Sequence, residues 1–282
     1  MHLLGLIAHR DGDLANARDF LRRAAESPEA SALYLLTYAE LCCRAVDRHA
    51  AVELARRATQ LDGAQPLGWF YLGNLLFEMR RLDESRRCLQ RAVELDGEFW
   101  QARAALALVL GRTGEADAAA AQFDRLLGEY ADNAEIIGSH AIFLSEQGRC
   151  AEALTRAERA IALQPEALDH HLRAAEIELL LGRQRIALDR LSLLEGAWPR
   201  AIRLLTLKAH LLRLIDRNEE AVALCRDALY AGIESAELLR AYGLALHLTG
   251  EDAEALAVFG RAAAVNVEPG YWRGGRGLRI HL

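Results

Sequence analysis

Counted from Ala17, every 34th residue of this chain is small: Ala17, Ala51, Ser85, Ala119, Ala153, Ala187, Ala221 and Ala255, with no insertion or deletion between them. A fixed period of this length marks an array in which each unit buries its apolar face only against its neighbours. At 282 residues a globular chain would form about two domains. The unbroken period points instead to one elongated body whose core runs along its length.

With this column set at position 20 of the unit, two more columns fall into phase. Position 8 reads Gly5, Ala39, Gly73, Ala107, Ala141, Ala175, Ala209 and Gly243, and position 27 is alanine or leucine throughout. Position 24 alternates between large and small: Leu21, Ala55, Leu89, Phe123, Ala157, Leu191, Cys225 and Phe259. These spacings predict two antiparallel helices per unit, each of about fourteen residues. Small side chains let the two backbones approach closely, and larger ones fill the space on either side. Gly114, Gly148, Gly182 and Gly250 sit at the break between the helices, where a left-handed residue ends the first one.

The units run 1–31 (incomplete), 32–65, 66–99, 100–133, 134–167, 168–201, 202–235 and 236–269. Their pattern resembles the tetratricopeptide repeat. Residues 66–99 carry Trp69, Gly73, Ser85, Leu89 and Ala92 of its signature, with Gly97 where proline is usual; residues 134–167 carry Ala141, Gly148, Ala153, Ala160 and Pro165. The resemblance implies an all-α, right-handed superhelical solenoid of about eight antiparallel helix pairs. The opening His2-Leu3-Leu4-Gly5-Leu6-Ile7-Ala8 is similar to the first repeat of bacterial proteins that join such arrays to a catalytic domain, the O-GlcNAc-transferase-like glycosyltransferases among them.

Composition narrows the function class. Hydrophobic residues are 52% of the chain and charged residues 26%, which suits a folded body rather than a disordered one. A net charge of −6 lacks the basic footprint of a nucleic-acid binder. Lys208 is the only lysine among many arginines, which reads as a GC-rich genome, while the resemblance of the opening repeat implies a bacterial source. Leu3 to Ala8 is too short for a signal-peptide core and nothing reads as a membrane span, so a cytoplasmic location is expected. Cys42, Cys43, Cys88, Cys150 and Cys225 form no CxxC pair and are expected to be reduced, mostly buried thiols.

Catalytic and metal chemistry is not expected. His170 and His171 are adjacent, so on a helix they diverge by about 100°. His2 and His9 share a helix face without a third ligand, and no Cys/His cluster, phosphate-binding glycine motif or nucleophile motif occurs. No enzyme and no cofactor are expected from this chain alone.

The family resemblance places positions 2, 5, 6, 9, 12 and 13 of the first helix on an inner, concave surface. Carried over, these positions give Leu33, Leu36, Thr37, Glu40, Cys43 and Arg44 in the second unit and Leu67, Phe70, Tyr71, Asn74, Phe77 and Glu78 in the third. Units four and five contribute Gln101, Ala104, Leu108, Arg112, Gly138, Ser139 and Ile142; later units contribute Arg173, Glu176, Arg203, His210, Arg213, Arg240 and His247. Two zones follow, one apolar and aromatic around Phe70, Tyr71 and Phe77, the other cationic around Arg173, Arg203, Arg213 and Arg240. Aromatic and arginine side chains are typical binding anchors. Two alternatives stand beside this: Phe70 and Phe77 packing between neighbouring helices, and the arginines pairing with Glu176 and Glu237. The family's carboxylate clamp and its asparagine ladder are both missing, the second because position 9 is asparagine only at Asn74.

The expected function is a scaffold that holds an extended peptide or partner segment in the concave groove. The alternatives are a substrate-recognition arm of a larger enzyme, such as a bacterial glycosyltransferase, and self-association through the array ends. The segment 270–282, with four glycines and an Arg-Gly-Gly-Arg run, is expected to be an irregular tail.

Overall fold

The computed structural model describes residues 1–10, 13–44 and 48–266. The expected tail at 270–282 and the side chains of Cys43 and Arg44 lie outside the described residues. Sixteen helices and no strand occur among the described residues. The odd-numbered helices open each pair: α1 His2–Arg10, α3 Ala32–Arg44, α5 Pro66–Glu78, α7 Trp100–Arg112, α9 Ala134–Glu146, α11 Leu168–Leu180, α13 Ile202–Leu214 and α15 Ala236–Thr249. The even-numbered helices close it: α2 Leu14–Glu26, α4 Arg48–Leu61, α6 Leu82–Leu95, α8 Ala116–Glu129, α10 Cys150–Leu163, α12 Gln184–Leu194, α14 Asn218–Tyr230 and α16 Asp252–Asn266. The chain packs as two compact units that divide within α11, between Arg173 and Ala174.

Within each pair the two helices cross on the small-residue column. Ala17, Ala51, Ser85, Ala119, Ala153, Ala187 and Ala221 are wholly inaccessible to solvent, and Ala255 is 2% exposed. Ser85 meets the cost of burying a hydroxyl by donating to the carbonyl oxygen of Gly73 at 2.7 Å.

Position 8 then answers position 24. A Cβ added at Gly73 would lie 2.6 Å from Cγ of Leu89, and one added at Gly243 would lie 2.7 Å from a Phe259 ring carbon. Where position 24 is small, as at Ala55, Ala157 and Cys225, position 8 is alanine: Ala39, Ala141 and Ala209. Leu191 opposite Ala175 departs from this match, and so does Phe123 opposite Ala107. The Phe123 ring stacks on Phe143 and His140 of α9, at centroid distances of 5.5 and 5.1 Å.

The link inside the pair is a left-handed residue at position 15. Gly114, Gly148, Gly182 and Gly250 have φ between 72° and 91° there. In the third and seventh units Arg80 and Asp216 take the same conformation at φ 61° and 60°. The next amide returns to the carbonyl five residues back, as from Glu115 to Leu110 and from Arg149 to Leu144, each at 2.9 Å. That bond closes a Schellman turn and fixes where the second helix starts.

Among the described residues from Ala174 onward, one ion pair lies in the core. Arg190 donates to both carboxylate oxygens of buried Glu178, at 3.1 and 2.7 Å, so the charges satisfy each other across α11 and α12. The described cysteines are all free thiols: Cys42 and Cys225 are buried, Cys88 and Cys150 half-buried. Burial pushes the Cys225 thiol up to about 12 and the Cys88 thiol up to about 11, so neither is an activated nucleophile.

Candidate binding groove

In the first unit, α5, α7 and α9 run side by side and enclose a cavity of about 520 Å³. From α5 come Phe70 and Asn74; from α7, Trp100, Gln101, Ala104, Ala105 and Leu108; from α9, Glu135 and Ser139. Its floor is apolar because positions 5 and 9 are Ala104 and Leu108 on the middle helix, both nearly buried. Phe70 is held edge-on to Tyr71, with centroids 5.9 Å apart, and tilted against Phe99 at 5.0 Å. The side chains of Asn74, Gln101 and Ser139 have no hydrogen bond within the described chain and are available to a ligand.

The other groove residues expected in the second and third repeats are placed differently. Leu36 does not reach the groove. It is 5% exposed and packs in the core cluster with Leu72, Leu75 and Leu76 of α5, because the next odd helix covers its position. Tyr71 packs against that same cluster while remaining partly exposed. Phe77 lies under Arg112, whose guanidinium carbon is 3.9 Å from the ring centre. Glu40 is exposed and lines a smaller cavity of about 120 Å³ with Leu6, His9, Leu21, Thr37 and Leu41.

The expected cationic residues are largely answered by the protein itself. Arg173 donates to the Gly138 carbonyl oxygen at 2.7 Å in the first unit. In the second unit Arg203 is 3.7 Å from Glu176 and Arg240 is 3.5 Å from Glu237. Arg213 is half-buried, with a buried Nε that has no hydrogen-bond partner; burial lowers its pKa. His210 is likewise pushed down, first by burial and then by the nearby Arg213 charge.

Two groups were not singled out from the sequence. Trp100 and Glu135 both line the cavity, yet Trp100 stands at position 1, outside the inward set carried over from the family. Position 13 also changes character along the chain. It reads Glu78, Arg112 and Glu146 in the first unit, with Arg112 Nε donating to Glu146 at 2.9 Å. In the second unit it reads Leu180, Leu214 and Leu248, each about half exposed or more. Tabulating that column would have found them.

His2, His170 and His171 have hydrogen-bond partners of their own in the helix pairs, and buried Nδ1 of His140 and of His170 has none. His2 stacks on Tyr34 at 4.3 Å and its Nε2 is 3.1 Å from Thr37 Oγ1. Nε2 of His170 is 3.2 Å from Gln164 Oε1, and Nε2 of His171 is 2.9 Å from the Pro165 carbonyl oxygen. No group of three metal-ligating side chains occurs among the described residues. No described helix is long and apolar enough to cross a membrane.

Residues 70–134 and 140–202 match the family model of the tetratricopeptide repeat. These residues carry tetratricopeptide repeats. Among solved structures, a tetratricopeptide repeat protein from Parabacteroides merdae superposes with a TM-score of 0.56 at 18% identity, over 84% of this chain and 93% of that one. Yeast Tom70 gives 0.58 at 16% identity, covering 90% of this chain but 50% of Tom70. The pilF protein of Pseudomonas aeruginosa gives 0.52 at 22% identity, over 71% of this chain and 90% of that one. At such identities the likeness is one of fold. No curated protein matches the sequence. Tetratricopeptide repeats build protein-interaction scaffolds.

Proposed function

We propose that the chain is a protein-interaction scaffold that holds an extended partner segment across α5, α7 and α9. The observation that carries this is the shared cavity of about 520 Å³, into which three successive repeats contribute unengaged polar side chains above an apolar floor. Helix axes packed roughly 8–10 Å apart place the outer two about 16–20 Å from each other. At about 3.3 Å per residue, five or six residues of extended chain cross that distance. Asn74, Gln101 and Ser139 then offer hydrogen bonds to its backbone, while Phe70, Trp100 and Leu108 receive its side chains.

The test is selection of a displayed library of random twelve-residue peptides on the purified protein, repeated on a Ser139→Trp variant whose indole fills the groove. The proposal expects peptides that bind the wild type and lose at least about tenfold in affinity on the variant, with the thermal midpoint kept. Selected peptides that bind both proteins equally would place the interaction elsewhere.

A further inference from the structure

Of the residues around this cavity, Glu135 alone carries an ionisable side chain. No ion pair holds its carboxylate among the described residues, although it lies close enough to His170 to raise that imidazole's pKa against the stronger effect of burial. The neighbouring cations are held elsewhere. Arg103 donates to Glu129 at 2.9 Å on the outer side of α7, Arg112 to Glu146 at 2.9 Å, and Arg173 to the Gly138 carbonyl oxygen at 2.7 Å. The cavity lining therefore carries one negative charge, no positive one, and two aromatic side chains, Phe70 and Trp100. The Phe70 ring is set in orientation by Phe99 and Tyr71.

We infer that this cavity receives an arginine side chain of the bound segment. An aromatic face attracts a cation through its quadrupole, and the attraction grows as water is excluded. A guanidinium is planar and weakly hydrated, so it stacks on an indole or phenyl ring where a compact ammonium keeps its water. Its five N–H donors match the acceptors on the cavity wall: the Glu135 carboxylate, the side-chain carbonyl oxygens of Asn74 and Gln101, and the Ser139 hydroxyl. An anionic ligand would meet the charge of Glu135, and no cation lines the cavity to offset the repulsion. The inference rests on the groove reading, and it narrows the partner to a segment with an arginine at the point where it crosses α7.

The experiment follows the indole N–H resonances of the labelled full chain during titration. The signal of Trp100 is identified by its loss in Trp100→Phe. The probes are the N-acetyl amides of arginine, citrulline, lysine and glutamate. The arginine derivative is expected to move the Trp100 resonance saturably, with citrulline, its neutral isostere, about tenfold weaker. Glu135→Gln is expected to remove that difference without changing the unfolding midpoint, and rising salt to weaken the arginine response. Equal binding of citrulline, or an unchanged arginine affinity in Glu135→Gln, overturns the inference. Equal binding of lysine overturns the choice of guanidinium, and preferential binding of glutamate overturns the charge assignment.

The peptide selection separates this site from the scaffold proposal. Groove-dependent peptides that lack arginine sink the arginine site alone. Arginine binding at Trp100 with no groove-dependent peptide sinks the scaffold alone.

Discussion

The guanidinium of Arg112 lies 3.9 Å from the centre of the Phe77 ring, while its Nε donates to Glu146 at 2.9 Å. One side chain thus ties together the ends of three successive odd-numbered helices, α5, α7 and α9. Arg112→Ala is expected to cost about 1 kcal/mol, since both contacts are partly exposed and screened. Arg112→Lys should recover little, because an ammonium neither stacks nor forks. Urea unfolding of the two variants, and of each combined with Phe77→Leu, checks this; additive effects in the double variants would mean that the ring contact contributes nothing.

Ala153 is fully buried at a helix crossing. Ala153→Leu adds volume with nowhere to go and should cost about 1–3 kcal/mol. A thermal midpoint equal to that of the wild type would show that the crossing is not close-packed.

Gly73→Ala sets two principles against each other. Alanine is the better helix former by about 1 kcal/mol. Its Cβ, however, would stand 2.6 Å from Cγ of Leu89, a side chain with no exposure and no room to retreat. The clash should win, leaving the variant less stable. Adding Leu89→Ala should relieve it, so that the double variant loses less than the sum of the singles, as the native pairing of Ala39 with Ala55 implies.

Arg80 carries the left-handed conformation that glycine takes in four other units, at φ 61°. A side chain there costs about 1–2 kcal/mol, partly offset by the greater entropy that glycine has when unfolded. Arg80→Gly should therefore stabilise the protein by about 0.5–1 kcal/mol, read as a higher urea midpoint with an unchanged slope.

Burial against Phe123 lowers the His140 pKa to about 4. Above pH 6.5 the group is neutral in both states and contributes nothing to the pH dependence. As pH falls from 6.5 toward 4, the unfolded chain takes up a proton that the folded chain refuses, so stability declines. His140→Phe should flatten the urea midpoint over that range relative to the wild type. His170 and His210 shift in the same direction, so the difference between the two profiles is the measurement, not either profile alone.

The all-helical fold was legible because position 20 cannot be large: a residue at a crossing has only the space that its partner backbone leaves. Gly114, Gly148, Gly182 and Gly250 announced the turns for a similar reason, since only a left-handed residue lets the chain reverse there. Arg80 and Asp216 hid the same turn by tolerating its strain. The groove was harder to read. A position's exposure depends on what the next repeat lays over it, so Leu36 and Phe70 share position 5 yet only Phe70 lines the cavity. The sequence does not show which charges find each other, so Arg203 and Arg240 were open between ligand contact and pairing with Glu176 and Glu237. Trp100 was missed because it lies one residue before the inward set carried over from the family.

The reciprocal sizes at positions 8 and 24 bear on how such a protein could be rebuilt. Although the units share one length and one fold, their helices are not spare parts for one another. Moving α6, with Leu89, opposite α9 would set a leucine against the methyl group of Ala141, as only Leu191 and Ala175 do in the native chain. Moving α10, with Ala157, opposite α5 would leave a void beside Gly73. Transferring whole pairs keeps every one of those matches, so two helices, cut at position 1, are the piece that can be moved to any place in the array.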